Sequence, residues 1–307
     1  MKDFVLEAIK TLPPLPKSVV EFNRYFEMHG TYMPSNTMKK IVQENEHDKK
    51  IVLEMANSSL YNFQDNIDLD RIFSLLGSIS VKNILVADFI SNNFKFDIFP
   101  RDSKGNKSQS SFKCICDLSP YGLDGESFLQ ECSKELHFLS SWLLEEDKRN
   151  HIFLPCLMLL RLGLIMFSQI LIFNNLHKEF YEELIKRNFS DILEVEKKFL
   201  DIDHIEFLEF LLKYWHSQPV IIQSVHYLKT PHLAPQDMKK NAYMFHFIEK
   251  IFTPHNKVNE TDVDESIKLM AKLKEQDIHF KIDIFIAKIT KEYPYLPKFN
   301  TPPPFLI

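Results

Sequence analysis

The sequence predicts an all-α protein, and three observations carry that prediction. Apolar residues recur at helical rather than strand spacing, the 307 residues include only six glycines, and the one long polar interruption separates two stretches that each read as helical. Low glycine argues against an all-β fold dense in tight turns. A hydrophobic fraction of 45% against 26% charged residues marks a globular chain, and the 27 phenylalanines are assigned to its core. About a dozen helices and little or no strand are expected.

Taken in order, Leu12-Pro-Pro-Leu-Pro16 is a rigid lead into a helix that starts near Ser18. Asp3 and Glu7 interrupt the apolar stretch that an export signal requires, so none is expected. In Asp68-Leu-Asp-Arg-Ile-Phe-Ser-Leu-Leu-Gly77 the acids suit a helix N-terminus, Gly77 suits the residue after its end, and Ser80 suits the cap of the next helix. This pair looks like a helix-turn-helix, but Val81 to Ile90 offers only Lys82 and Asn83 to a base edge. With a formal net charge of -5 there is no general attraction to nucleic acid or to an anionic membrane, and neither partner is expected.

Periodicity breaks between Phe94 and Asp124, where Pro100, Gly105 and Pro120 punctuate a polar run. Beyond it, Leu129, Cys132, Leu136, Leu139 and Leu143 step by three and four, while Glu131, Lys134, Glu135 and Glu145 fall elsewhere on the same helix. Ile205, Leu208, Leu212 and Trp215 repeat the pattern, and Pro231 and Pro235 mark a shorter break at Thr230 to Gln236. The tail, with Tyr293-Pro-Tyr-Leu-Pro and Thr301-Pro-Pro-Pro-Phe-Leu-Ile307, has polyproline II character and reads as a strap on the domain surface, or alternatively as a peptide ligand for a partner. The expected organisation is a helical lobe over residues 1–93, an irregular insertion over 94–124, a helical core over 125–290 and a Pro-rich tail over 291–307.

The longest apolar run, Ile152 to Phe173, is long enough to cross a bilayer but contains Pro155, Arg161, Ser168 and Gln169. An arginine at mid-bilayer costs about 3 kcal/mol, so a helix buried in protein is expected and membrane insertion is not. Cys114, Cys116, Cys132 and Cys156 form neither paired C-x-x-C knuckles nor a thioredoxin motif, as expected of reduced thiols in a cytoplasmic protein. No glycine belongs to a phosphate-binding loop or to a G-x-G-x-x-G fingerprint.

One series of motifs is specific in order and spacing. Leu12-Pro-Pro-Leu-Pro16 is followed by His47-Asp-Lys-Lys-Ile-Val-Leu-Glu-Met-Ala-Asn-Ser-Ser-Leu-Tyr61, Ile72-Phe-Ser-Leu-Leu-Gly77 and Val81-Lys-Asn-Ile84. Downstream come Tyr121-Gly-Leu-Asp124, Phe128, Asp203-His204, Leu211-Leu212, Trp215, Pro219 and His226. Over roughly residues 5 to 255 the chain resembles the HDOD family, the HD-related output domains of bacterial signalling proteins. The resemblance implies an N-terminal helical lobe packed on a core related to HD metal-dependent phosphohydrolases. It also implies signal transduction, often tied to two-component or cyclic-dinucleotide systems and to behaviours such as motility.

HD chemistry needs a histidine, an adjacent His-Asp pair and a distant aspartate to hold divalent metal. The resemblance places the His-Asp pair at Leu160 and Arg161, and the upstream histidine nearest Glu131. Leucine has no donor atom, and arginine brings positive charge to a cation's place. Leu157 to Phe167 is therefore expected to be the central helix of an HD-derived core whose metal centre is gone. Arg161 is expected to pair internally, with Glu131 as the candidate, or to sit at the rim of a vestigial pocket formed with Leu160, Asp203, His204 and His226. His204 and His226 are expected as core or cap residues, with a weak alternative as metal ligands; Asn57, Ser58 and Tyr61 are expected at a helix end, or alternatively on a partner-binding surface. The expectation is a non-catalytic module without a cofactor that binds a signalling protein supplied in trans, as no receiver or cyclase domain is attached. The alternatives are a divergent metal-dependent phosphohydrolase and a nucleotide or phosphate sensor using Arg161.

Overall fold

The computed structural model describes residues 3, 14–30, 32–56, 68–94, 117–147, 150, 153, 160–215, 217–253 and 255–300. Among them the protein is all-α, and no strand occurs. The chain forms two compact units, residues 9–115 with 149–159, and residues 1–8 with 116–148 and 160–307. Asn57, Ser58 and Tyr61 lie outside the described residues, as do 95–116 of the expected insertion and 301–307 of the tail.

The first unit contains α1 (Lys17–His29), α2 (Ser35–Gln43), α3 (Glu46–Ala56) and α4 (Leu69–Phe94). The first three all pack on α4. Its core is aliphatic with few aromatics: Val19, Phe22, Val42, Val52, Ile72 and Val81 are each fully buried. Asp68 accepts from the Arg71 N–H at 2.8 Å, capping α4 as its acids suggest. Gly77, at φ 72° and ψ 168°, breaks the helix in a region of backbone space open essentially to glycine alone. Ser80 does not cap the second half, as the sequence suggests; its hydroxyl donates back to the Leu76 carbonyl at 2.6 Å, satisfying the end of the first half. Lys82 and Asn83 are buried, so no base-reading face exists here.

The second unit holds α5 (Gly125–Glu146), α6 (Leu162–Phe173), α7 (His177–Lys186), α8 (Ile192–Leu200), α9 (His204–Tyr214), α10 (Pro219–His226), α11 (Lys239–Ile251), α12 (Glu260–Lys272) and α13 (Ile282–Glu292). Here many of the phenylalanines enter the core as expected, although Phe173 is exposed. Phe138, Trp142 and Phe285 meet with ring centroids 5.1 to 5.9 Å apart where α5 packs on α13. Phe167 on α6 meets Phe207 on α9 at 5.2 Å. In the tail, Tyr293 and Leu296 are buried and the Tyr295 hydroxyl donates to the Val258 carbonyl at 2.9 Å, so residues 293–296 lie on the unit as a strap.

In the described part of the apolar run after Phe153, Leu160 and Arg161 form a turn and α6 starts at Leu162; positions 157–159 of the expected helix lie outside the described residues. No described helix is long and apolar enough to cross a membrane. Gly163 fixes how closely α6 approaches α9, because a β-carbon there would stand 2.6 Å from the His204 β-carbon and 2.8 Å from its carbonyl oxygen. Backbone cannot yield as a flexible side chain does. Gly163→Ala is expected to lower stability by about 1–3 kcal/mol in urea unfolding, with the helix content of the folded state unchanged.

Candidate functional site

The site grows from one face of α5. Phe128, Glu135, Phe138 and Trp142 are spaced by seven, three and four residues, and all four are buried. Glu135 therefore takes a core position within an aromatic stripe, not the solvent face suggested by the neighbouring leucine pattern. Opposite it, Arg161 ends the turn before α6 with 3% of its surface exposed.

A guanidinium this deep requires partners for every N–H. Nε and one Nη of Arg161 donate to the two oxygens of Glu135 at 3.2 and 3.0 Å, a bidentate pairing. The other Nη donates to Glu249 on α11 at 3.2 and 3.4 Å, and the Phe252 carbonyl accepts the remaining bond. The expected internal pairing exists, with a different acid. Glu131 lies one helical turn from Glu135, is largely exposed and accepts from Lys134 at 2.6 Å.

Burial pushes the Glu135 carboxyl up to about 7 against the opposing pull of Arg161. Burial alone would lower the Arg161 guanidinium, but the carboxylates of Glu135 and Glu249 outweigh it and hold the group firmly charged.

A second buried chain lies beside the first. Glu196, fully buried on α8, accepts from the Tyr121 hydroxyl at 2.8 Å, from the His204 N–H at 2.9 Å, and lies 2.9 Å from His204 Nδ1. Burial would lower the His204 imidazole, yet the charge and hydrogen bond of Glu196 prevail and raise it. His204 Nε2 is buried without a hydrogen-bond partner. Asp203 caps α9 through the Ile205 and Glu206 N–H groups in a reciprocal capping box, and Lys229 reaches it at 2.5 Å. Leu160 is buried.

Of the residues read from sequence, Leu160, Arg161, Asp203 and His204 are indeed buried in this unit, whereas His226 points to solvent on α10 and pairs with Glu209 at 3.0 Å. The structure thus does not bring His226 to His204. Sequence reasoning missed Glu135, Glu196, Glu249, Tyr293 and His255. The signal for Glu135 was its place among Phe128, Phe138 and Trp142, and Glu196 likewise sits between Val195 and Leu200 on the apolar face of α8.

Over Arg161 and Glu135 opens a pocket of about 340 Å³, walled by Phe128, Phe252 and Tyr293 with Glu131 at its side. His255 also lines it, donating from Nε2 to the Tyr121 carbonyl at 2.6 Å.

No protein-family model and no curated protein matches the sequence. Among solved structures, the all-α arrangement is that of an HDOD domain protein from Geobacter sulfurreducens, with a TM-score of 0.57 over 95% of this chain and 94% of that one at 14% identity. A Shewanella amazonensis protein assigned as a phosphohydrolase aligns with a TM-score of 0.57 over 94% of each chain at 16% identity. This is an HDOD-family fold. A virulence factor from Campylobacter jejuni subsp. jejuni is 30% identical, over 96% of this chain and 99% of that one, with a TM-score of 0.59. The chain belongs to the same family as that Campylobacter protein.

Two outcomes follow from the ion cluster. Arg161→Met strands two carboxylates and is expected to cost about 3–5 kcal/mol in urea unfolding, part of it restored when Glu135→Gln and Glu249→Gln are added. The folded state also holds a proton on Glu135 more tightly than the unfolded chain does, so this carboxyl's contribution to stability falls as pH rises from about 4.5 through about 7. The urea midpoint of Glu135→Gln, followed against pH, is expected to lack that decline.

Proposed function

We propose that this protein is a non-catalytic HDOD module of bacterial signal transduction that acts in the cytoplasm by binding another protein supplied in trans, without a metal or other cofactor. The observation that carries this reading is the ion cluster of Arg161. A divalent metal needs converging lone pairs. Where the HD resemblance expects a His-Asp pair, Leu160 offers no donor atom, and Arg161 supplies a cation already neutralised by Glu135 and Glu249.

The remaining donors do not fit a metal either. His204 faces Glu196 through Nδ1, His226 is exposed beside Glu209, and among the described residues no three His, Cys, Asp or Glu side chains are grouped to hold an ion. Anion sensing by Arg161 fares no better. Its N–H groups all point to protein acceptors, and a phosphate would have to displace a bidentate carboxylate from a buried site.

The test uses untagged full chain purified without chelator. Metal content by mass spectrometry is expected to be far below one equivalent, phosphoesterase assays with added Mn or Mg are expected to show no turnover, and a specific partner should be captured equally well with and without chelator. Stoichiometric metal lost in His204→Ala, or metal-dependent turnover abolished by that substitution, would overturn the reading. Stabilisation by phosphate that disappears in Arg161→Leu would replace it with the sensor.

A further inference from the structure

Helix α6 is apolar on every side, yet only one side of it enters the core. Leu164, Phe167, Ser168 and Leu171 are fully buried on that side. On the other, Ile165, Met166 and Ile172 are partly buried, Gln169 is exposed, and Phe173, at 86%, is the most exposed large hydrophobic side chain among the described residues. These five positions follow one another at intervals of one, three, three and one, and so share one helix face. From Leu162 to Phe173 no residue is charged, in a chain that is 26% charged. A solvent-facing helix surface ordinarily carries charge, and an apolar one marks a docking surface.

The order of residues on this face indicates what fits it. Counted from Gln169, the apolar residues stand at minus four, minus three, plus three and plus four, so the face reads the same in both directions. A two-fold axis through Gln169, perpendicular to α6, lays Ile165 of one copy on Phe173 of the other and Met166 on Ile172, apolar against apolar at each contact. Antiparallel helices also set their macrodipoles head to tail. Gln169 is the one polar residue of the face, and on the axis it meets its own copy, where the amide of one side chain donates to the carbonyl oxygen of the other. A single polar residue in an apolar seam fixes its register. An unrelated partner helix has no reason to match this symmetry.

We propose that the exposed face of α6 is a self-association surface through which two copies of this chain pair antiparallel about Gln169. At 1.5 Å per residue the seam is only about 12 Å long, so the contact is small and the dimer is expected to be weak, with a dissociation constant on the order of 10–100 µM. This surface goes beyond the reading of a signalling partner and does not rest on it, since that partner can bind elsewhere on either copy.

Sedimentation equilibrium of the full chain over about 1 to 300 µM tests the proposal. A reversible monomer-dimer equilibrium is expected, and Phe173→Asp, at an exposed position, should raise its dissociation constant roughly tenfold or more. Gln169→Glu and Gln169→Lys, also at an exposed position, each set two like charges on the axis and should weaken pairing by a similar factor. An equimolar mixture of those two variants should pair again as a heterodimer, because the charges on the axis are then opposite. Thermal unfolding checks that each variant keeps the fold. A chain that stays monomeric at every concentration, a dimer that Phe173→Asp leaves unchanged, or Gln169 variants that do not rescue each other would overturn the proposal. A monomer that loses its captured signalling partner in Phe173→Asp would overturn it and assign the face to that partner. A monomer whose melting temperature falls in Phe173→Asp would overturn it and assign the face to a segment of the same chain.

Discussion

A buried guanidinium cannot be left unpaired, and the second unit is arranged around that requirement. Arg161 draws Glu135 from α5, Glu249 from α11 and the carbonyl of Phe252 to one point, partners 26, 88 and 91 residues away along the chain. Net stability is not the gain, because removing three charged groups from water offsets most of their mutual attraction. What the cluster supplies is specificity of packing: α5 cannot rotate by a residue, and α11 cannot slide by a turn, without stranding a charge.

The second chain of polar groups gives His204 its role. Glu196 binds both the ring and the backbone of His204 and also takes the Tyr121 hydroxyl, while the Tyr121 carbonyl receives His255. One carboxylate therefore joins the start of α9 to the turn before α5. The close approach at Gly163 presses α6 against the same residue, so the histidine is held from its backbone as well as its ring.

The all-α class, the cap at Asp68, the break at Gly77 and the strap at residues 293–296 were legible because each depends on local chemistry: a side chain that caps, a backbone angle, an apolar interval; Asp203, read as a pocket residue, is instead the cap of α9. The resemblance singled out Arg161 and His204, and both are buried in the second unit. The acids were harder. Glu131 and Glu135 occupy the same helix one turn apart, and only contact with a residue 26 positions away decides which is buried. The leucine pattern of α5 marks only part of its buried face: Leu139 and Leu143 are as enclosed as Phe138 and Trp142, and the aromatic side, which faces Phe252 and Phe285, extends the core to Glu135. Glu249 carried no local signal, being followed directly by Lys250 on a helix whose other polar residues include Lys239, Lys240, Asn241 and His246. His226 failed as a pocket residue because one residue along α10, about 100° around the helix from the buried Val225, is enough to carry a side chain from core to solvent.

The three-way pairing at Arg161 also bears on how such a protein can change over generations. Replacing Leu160 and Arg161 with histidine and aspartate would remove the cation that Glu135 and Glu249 neutralise, so those acids would have to change in the same lineage before the chain folded well again. Each single step crosses an unstable intermediate. The ion cluster acts as an evolutionary ratchet: once arginine and its acids are in place, descendants are held to this arrangement, and new roles arise from the exposed faces and the adjoining pocket.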